Sequence, residues 1–314
     1  MKLVVQCSCA NEEETIGTVL DEIPKQIPGI DEIEVVIVDD GSTDRTVEIA
    51  KARGVKHFVY HANRKGLAQG FRDAIEKSLE IGADIIVHTD GDNQYPGDRI
   101  ADLVAPILAG RADMVIADRQ TQTIEHFSPA KKLLQRFGTW TLNKAANTDV
   151  PDAPSGFRAY SRDAAMRLNV VTTFSYAMET LIQAGNKRFA IESITITTNP
   201  KTRESRLFKS SWEHVTKSGT AIFRAFIMYR PYAFFGGLGL ILLALGAIPF
   251  ARFLFFLTFD DGRGHLQSLI AGSVLLVASF IAFTLGVVSD LIRVNRVLIE
   301  QSLEHEKHRR FDKR

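Results

Sequence analysis

The segment Asp84-Ile-Ile-Val-His-Thr-Asp90-Gly91-Asp92-Asn93-Gln94-Tyr95-Pro96 carries the residues best suited to do chemistry. A short apolar run, read as a buried strand, ends in two carboxylates that flank a glycine. A carboxamide, Gln94, follows two residues later. Hard oxygen ligands at alternate positions, with a small residue between them, suit a divalent cation that also binds phosphate oxygens. Such a cation can neutralise a departing diphosphate, which points to a nucleotide-activated substrate. A second acidic cluster, Asp39-Asp40-Gly41-Ser42-Thr43-Asp44, closes another apolar run.

The elements that must hold these clusters alternate. Lys2–Gln6 reads as a strand and Glu12–Ile23 as a helix. The β-branched run Ile33–Val38 reads as a buried parallel strand. Ser42 or Thr43 is placed to cap a helix over Arg45–Arg53. A strand follows at His57–Tyr60, a helix at Gly66–Ile81, the strand Asp84–His88, a helix around Ile100–Ala109 and a strand at Met114–Ala117. This order predicts an α/β fold, a doubly wound and mostly parallel sheet, with ligands gathered beyond the carboxyl ends of its strands. Both acidic clusters fall at that edge. Beyond it, Pro129–Asn147 reads as a helix and Ala190–Thr198 as a strand.

Across the 314 residues Lys+Arg is 38 and Asp+Glu is 37, so net charge gives no sign of nucleic-acid binding. Hydrophobicity is concentrated instead in residues 232–259 and 266–289. A bilayer core needs about 20 apolar residues per helix, so these predict two spans, about 232–257 and 266–290. Arg252, near the end of the first, can snorkel to the interface. Residues 201–230 carry seven Lys/Arg against two Glu, and 291–314 carry seven against four acids. The connecting loop Asp260–His265 is short and slightly acidic. Both termini and the catalytic region are therefore expected in the cytoplasm. No signal peptide is expected, because Met1 leads directly into a strand. The expected divisions are a first domain over 1–200, a basic loop and juxtamembrane helix over 201–231, a hairpin over 232–290 and a basic tail over 291–314. Trp212–Tyr229 reads as membrane-surface helix, and Pro231 as a break before the first span. Cys7 and Cys9 read as packed thiols. Gly236, Gly237, Gly239, Ala271 and Gly272 offer small-residue faces for oligomer packing.

The series Cys9-Ala-Asn11-Glu12-Glu13-Glu14, Val38-Asp39-Asp40-Gly41-Ser42, Asp90-Gly91-Asp92-Asn93-Gln94 and Ser155-Gly156-Phe157-Arg158 resembles family-2 glycosyltransferases of the GT-A fold. With two C-terminal spans, the chain is most similar to the polyprenyl-phosphate glycosyltransferases, relatives of dolichol-phosphate mannose synthase. The resemblance implies transfer of a sugar, with inversion, from a UDP- or GDP-linked donor to an undecaprenyl- or dolichyl-type phosphate. It implies Mg²⁺ or Mn²⁺ held by Asp90, Asp92 and Gln94, and a nucleotide pocket of Asn11, Glu12, Asp39, Asp40, Arg64 and Asp90. Asp152, Asp92 and Arg119 take catalytic positions. Asp152 orients the acceptor, stabilises charge at the sugar carbon, or pairs with Arg158. No dedicated base is required, since a lipid phosphate is already ionised near neutral pH. Arg203, Arg206, Lys209, Ser155 and Arg158 are the implied acceptor-phosphate contacts. Lys131 and Lys132 are further basic candidates or a solvated helix face.

Two features depart from the family pattern. Ser8 and Ala10 stand where relatives usually carry proline and a larger residue, which bears on base stacking and nucleotide identity. Gly91 replaces the commoner alanine and is expected to be harmless. Two other functions compete. A processive polysaccharide synthase would need a Gln-x-x-Arg-Trp motif, whose spacing Gln135–Trp140 does not match. A non-catalytic membrane scaffold would have no need of the intact acidic clusters.

Overall fold

The computed structural model describes residues 1–121, 129–171, 176–200, 219–220, 223, 227–259 and 266–312. Seven strands form one sheet: β1 (Lys2–Cys9), β2 (Glu32–Asp39), β3 (His57–Tyr60), β4 (Ile85–Asp90), β5 (Met114–Asp118), β6 (Arg158–Ser161) and β7 (Ile191–Thr195). Their order is β3-β2-β1-β4-β6-β5-β7. Only β6 runs antiparallel to its neighbours. The predicted α/β class and mostly parallel sheet are borne out. Pairing of Cys9 with Asp39 and of Ser8 with Asp90 aligns the acidic strand ends on one edge.

The helices between strands are α1 (Ile16–Glu22), α2 (Thr46–Ala52), α3 (Leu67–Glu80), α4 (Ile100–Leu108), α5 (Pro129–Ala146), α6 (Arg162–Arg167) and α7 (Tyr176–Asn186). Leu3, Val5, Ile85, Val87, Val115, Phe157 and Ala159 share a core with Ile100, Leu103 and Val104 of α4. Such burial contributes about 25 cal/mol per Å² of apolar surface. Alternate residues of β1 and β4 point to the other face. There Gln6 and His88, both wholly buried, meet at 3.0 Å beside Phe71 of α3.

Several boundaries move for local reasons. The first helix starts at Ile16, because Asn11 takes φ 58° and Glu12–Thr15 form a turn. Neither Ser42 nor Thr43 caps α2. Asp44 does so, its Oδ1 accepting from the Thr46 amide at 3.0 Å, while Ser42 Oγ accepts from the Asn11 amide.

Contacts divide the described chain into two units, Met1–Ile222 with Gln301–Arg314, and Phe223–Glu300. The second unit contains the helices α8 (Gly237–Phe259) and most of α9 (Leu266–Phe311). Pro231 stands at the start of this helical run, before a wide turn over Tyr232–Gly236. Two helices, Tyr232–Phe259 and Leu266–Phe311, are long and apolar enough to cross a bilayer, and their most apolar windows are only 6% and 22% buried. A core helix of a soluble protein would be covered, so these mark a membrane protein.

Small residues join α8 to α9. A Cβ on Gly246 would lie 3.2 Å from Gly272 O, and Ser279 Oγ donates to Gly239 O at 2.8 Å. Gly239, Gly246 and Gly272 thus serve the hairpin's own packing, whereas Gly236 and Gly237 face open space.

The basic tail is helical and partly docked. In the first unit Arg162 Nη2 donates to Phe311 O at 2.9 Å and Lys307 Nζ to Leu168 O at 2.7 Å. Glu304 meets Arg167 at 3.4 Å, and the Phe311 ring is buried.

Candidate active site

The β1 and β2 ends hold each other through side chains on backbone. Thr43 N donates to Asn11 Oδ1 at 2.7 Å and Glu12 N to Thr46 Oγ1 at 2.7 Å. Buried Asp39 accepts from Ser42 N at 3.1 Å, the turn-capping arrangement. Asp40 is more heavily committed, accepting from Lys65 N at 2.8 Å, Gly66 N at 3.0 Å and His61 Nδ1 at 2.8 Å. His61 bridges onward to Asp73 at 2.8 Å. Burial pushes the Asp40 carboxyl up, but the Lys65 amide, His61 and the Gly66 amide outweigh it and hold the group below the usual carboxylate range. Arg64, on the loop that Asp40 clamps, is exposed.

Gly91 seats the next strand end against this pair. Its amide donates to Ser8 O at 3.0 Å, and its carbonyl accepts from Thr15 Oγ1 at 2.6 Å. A Cβ here would stand 2.8 Å from Cys9 Sγ, so an alanine would require Cys9 to shift. Glycine at this position is therefore fitted to its neighbours in this chain. Cys7 and Cys9 are buried free thiols, as expected.

Asp90 and Asp92 project at the edge and remain partly exposed. The Gln94 backbone N–H donates to Asp92 Oδ1 at 3.1 Å, and its backbone carbonyl accepts from Asn199 N at 3.0 Å. Among the described residues no three His, Cys, Asp or Glu side chains converge as a ready-made cation cage. Two accessible carboxylates on one tight turn fit Mg²⁺ or Mn²⁺ that completes its shell with phosphate oxygens.

Across the same edge lies the loop before β6. Arg119, just past β5, grips Asp152 with Nε to Oδ2 at 2.7 Å and Nη2 to Oδ1 at 2.9 Å. Asp152 is buried and also accepts from Arg119 N at 3.2 Å. Burial opposes the Arg119 charge, but Tyr95, Asp152 and Asp90 more than compensate and raise its pKa. Tyr95 OH accepts from Gly156 N at 3.1 Å, and Tyr176 OH donates to Gly156 O at 3.3 Å. A Cβ on Gly156 would meet Tyr176 OH at 2.8 Å and sit 3.5 Å from Asp90 Oδ2. The fold thus brings Asp90, Arg119, Asp152 and Gly156 into one neighbourhood. Burial raises the pKa of both tyrosines, with the nearby Asp90 charge adding to it.

Arg158 requires a correction. It is wholly buried and donates to Ser155 O, Ala177 O, Thr180 Oγ1 and Ala153 O at 2.6–2.9 Å. Among the described residues it pairs with no carboxylate, and it is a structural arginine, closed to an acceptor phosphate. Ser155 is also wholly buried, and its Oγ has no partner among the described residues. Arg203, Arg206 and Lys209 lie outside the described residues. Sequence reasoning missed Tyr95, Tyr176, His61 and His88. Two signals were there to be read: Tyr95 stands right after Gln94, and His88 stands two residues before Asp90 on the same strand.

The glycosyl transferase family 2 pattern matches residues 7–168. Low-salt glycan biosynthesis hexosyltransferase Agl6 of Haloferax volcanii is 27% identical over 291 residues, which cover 90% of this chain and 66% of the relative. The chain thus spans just under two thirds of that protein. Dolichyl-phosphate hexose transferase of the same organism is 30% identical over 210 residues, covering 65% of this chain and 86% of its own. Dolichol-phosphate mannosyltransferase of Pyrococcus furiosus is 30% identical over 192 residues, covering 58% and 53% respectively. Among solved structures, glucosyl-3-phosphoglycerate synthase from Mycobacterium tuberculosis with Mn²⁺, UDP and phosphoglyceric acid superposes with a TM-score of 0.55 at 21% identity, over 72% of this chain and 77% of that one. That likeness establishes a shared GT-A architecture. The sheet, its acidic edge and these matches lead to one assignment: the chain belongs to glycosyl transferase family 2.

Proposed function

We propose that this glycosyltransferase moves a sugar, with inversion, from a UDP- or GDP-linked donor to a polyprenyl phosphate at the cytoplasmic face of a membrane. One observation carries the reading. In a chain with two membrane-length helices, the Asp90–Asp92 turn and the Arg119–Asp152 pair meet at one sheet edge. Relatives named for dolichyl-phosphate transfer support the acceptor class.

Asn11, Glu12 and Asp39 line the nucleotide side, with Asp40 holding the Arg64–Gly66 loop beside them. Asp90 and Asp92, with Gln94 at the turn, would hold Mg²⁺ or Mn²⁺, which when bound offsets the negative charge of the leaving nucleoside diphosphate. The structural neighbour bound to Mn²⁺ and UDP supports that choice of ion. Asp152 fixes the Arg119 guanidinium in a planar two-point grip, leaving a rigid cation near the reacting centre. With its oxygens committed to Arg119, Asp152 is poorly placed to remove a proton, and an already ionised phosphate acceptor needs no base. Arg203, Arg206 and Lys209 complete the acceptor site in this reading.

The test is direct. Purified full-length protein with Mn²⁺, radiolabelled nucleotide sugars and polyprenyl phosphate is expected to yield an organic-extractable labelled lipid. Transfer to water alone, or to a growing polysaccharide, would overturn the acceptor assignment.

A further inference from the structure

We infer that His88 is a positioning residue, holding the Asp90 carboxylate in the orientation that receives the donor's cation. The inference rests on the metal reading of Asp90 given above.

His88 and Asp90 are two residues apart on β4, so their side chains leave the strand on the same face. The imidazole is wholly buried, packed edge-on against Phe71 at 5.5 Å and Tyr176 at 4.8 Å between ring centres. An apolar ring would satisfy that cage without the cost of burying two nitrogens. Nδ1 lies 3.0 Å from Gln6 Nε2. An amide nitrogen only donates, so Nδ1 accepts and the ring proton sits on Nε2. Ser78 Oγ donates to Ala74 O at 2.7 Å and lies 3.4 Å from Gln6 Oε1, a longer contact that packs against the amide. Among the described residues Nε2 has no hydrogen-bond partner, and it stands 3.7 Å from Asp90 Oδ1, just beyond bonding range.

Asp90 is thus addressed from two sides. Its Oδ1 faces a buried donor and its Oδ2 faces the Gly156 loop, while a third of the side chain is open to solvent. A small rotation about the Asp90 side chain closes the gap to Nε2–H. That bond would fix one oxygen and keep the carboxylate oriented toward a cation held there. Gln6 thus orients His88 from β1, and His88 in turn faces Asp90 at the end of β4. Partners of this kind behind a ligating carboxylate typically change metal affinity by about 10- to 100-fold when removed.

The experiment compares full-length wild type, His88→Leu and His88→Gln in detergent. Mn²⁺ is titrated in the presence of UDP and, separately, GDP, with free Mn²⁺ read by electron paramagnetic resonance and folding by thermal midpoint. His88→Leu is expected to bind Mn²⁺ about 10-fold more weakly at an undiminished midpoint. His88→Gln, whose amide nitrogen reaches the Nε2 position, is expected to return to within about threefold of wild type, since it restores the donor. Wild-type affinity in the leucine variant overturns the inference, as does a folded glutamine variant as weak as leucine. Wild-type protein that binds no Mn²⁺ with either nucleotide overturns the metal reading itself, and this inference with it. Should neither variant fold, ¹⁵N-histidine spectra of the wild type decide. His88 is expected as the Nε2–H tautomer, its Nε2 proton moving downfield when Mg²⁺ and nucleotide are added. A Nδ1–H tautomer or an unmoved proton overturns the inference.

Discussion

Two halves of the sheet edge place the same residue type at strand ends and use it differently. At β1 and β2, the carboxylates of Asp39, Asp40 and Asp44 accept from backbone amides, and that half is held together from within. At β4 and β5, Asp152 grips an arginine side chain, while Asp90 keeps a third of its side chain exposed. Position at a strand end sets access to a ligand. Asp40, accepting from two backbone amides and an imidazole, is spent on the fold, whereas Asp92 accepts from the Gln94 amide and stays partly exposed.

Substitutions can break this contrast. The largest effect on activity is expected at Asp92. Asp92→Ala should reduce transfer at least about 100-fold, comparable to losing a charge-stabilising group, with a thermal midpoint near wild type. An equal loss of folding would make Asp92 a structural residue like Asp40. Arg119→Ala should cost about 3–5 kcal/mol, because it strands the buried Asp152 charge. In Arg119→Ala/Asp152→Ala much of that stability should return while activity stays lost, as read by denaturant unfolding and by lipid extraction.

Smaller effects sharpen the comparison. Gly91→Ala should destabilise by about 1–3 kcal/mol through overpacking against Cys9. Adding Cys9→Ala should recover most of it in a double-mutant cycle; additive losses would mean that the clash is not the cause. Asp40→Asn should cost about 1 kcal/mol and change activity least. Its pH signature separates it from the others. The folded Asp40 pKa lies below the unfolded value of about 3.9, so its contribution is present above that value and is lost as pH falls through the folded pKa. The midpoint gap between wild type and Asp40→Asn should therefore close in acid, and a gap constant down to pH 2 would contradict the assignment.

The sheet was readable because β-branched runs at Ile33–Val38 and Asp84–His88 can hardly be anything but buried strands. The spans were readable from length and hydropathy alone. β6 was not. Arg158–Ser161 is four residues long, carries an arginine and gains its identity only by pairing with β4 and β5. Arg158 misled because the resemblance of Ser155-Gly156-Phe157-Arg158 to a family motif cannot show the four carbonyl and hydroxyl oxygens that surround it in the fold. Asp90 and Asp92 could be picked out because their spacing is chemical information in itself. Tyr176 could not be, since 86 residues of chain separate it from the carboxylate whose charge it feels.

The docked turns of α9 set an order of events during synthesis. Lys307, Phe311 and Glu304 complete a surface made by Arg162, Arg167 and Leu168. They leave the ribosome only after both apolar helices have been translated. The surface of the first unit is therefore completed only after both apolar helices have been made. A chain halted within the hairpin leaves this surface unfinished, which makes arrested products preferred targets for proteolysis.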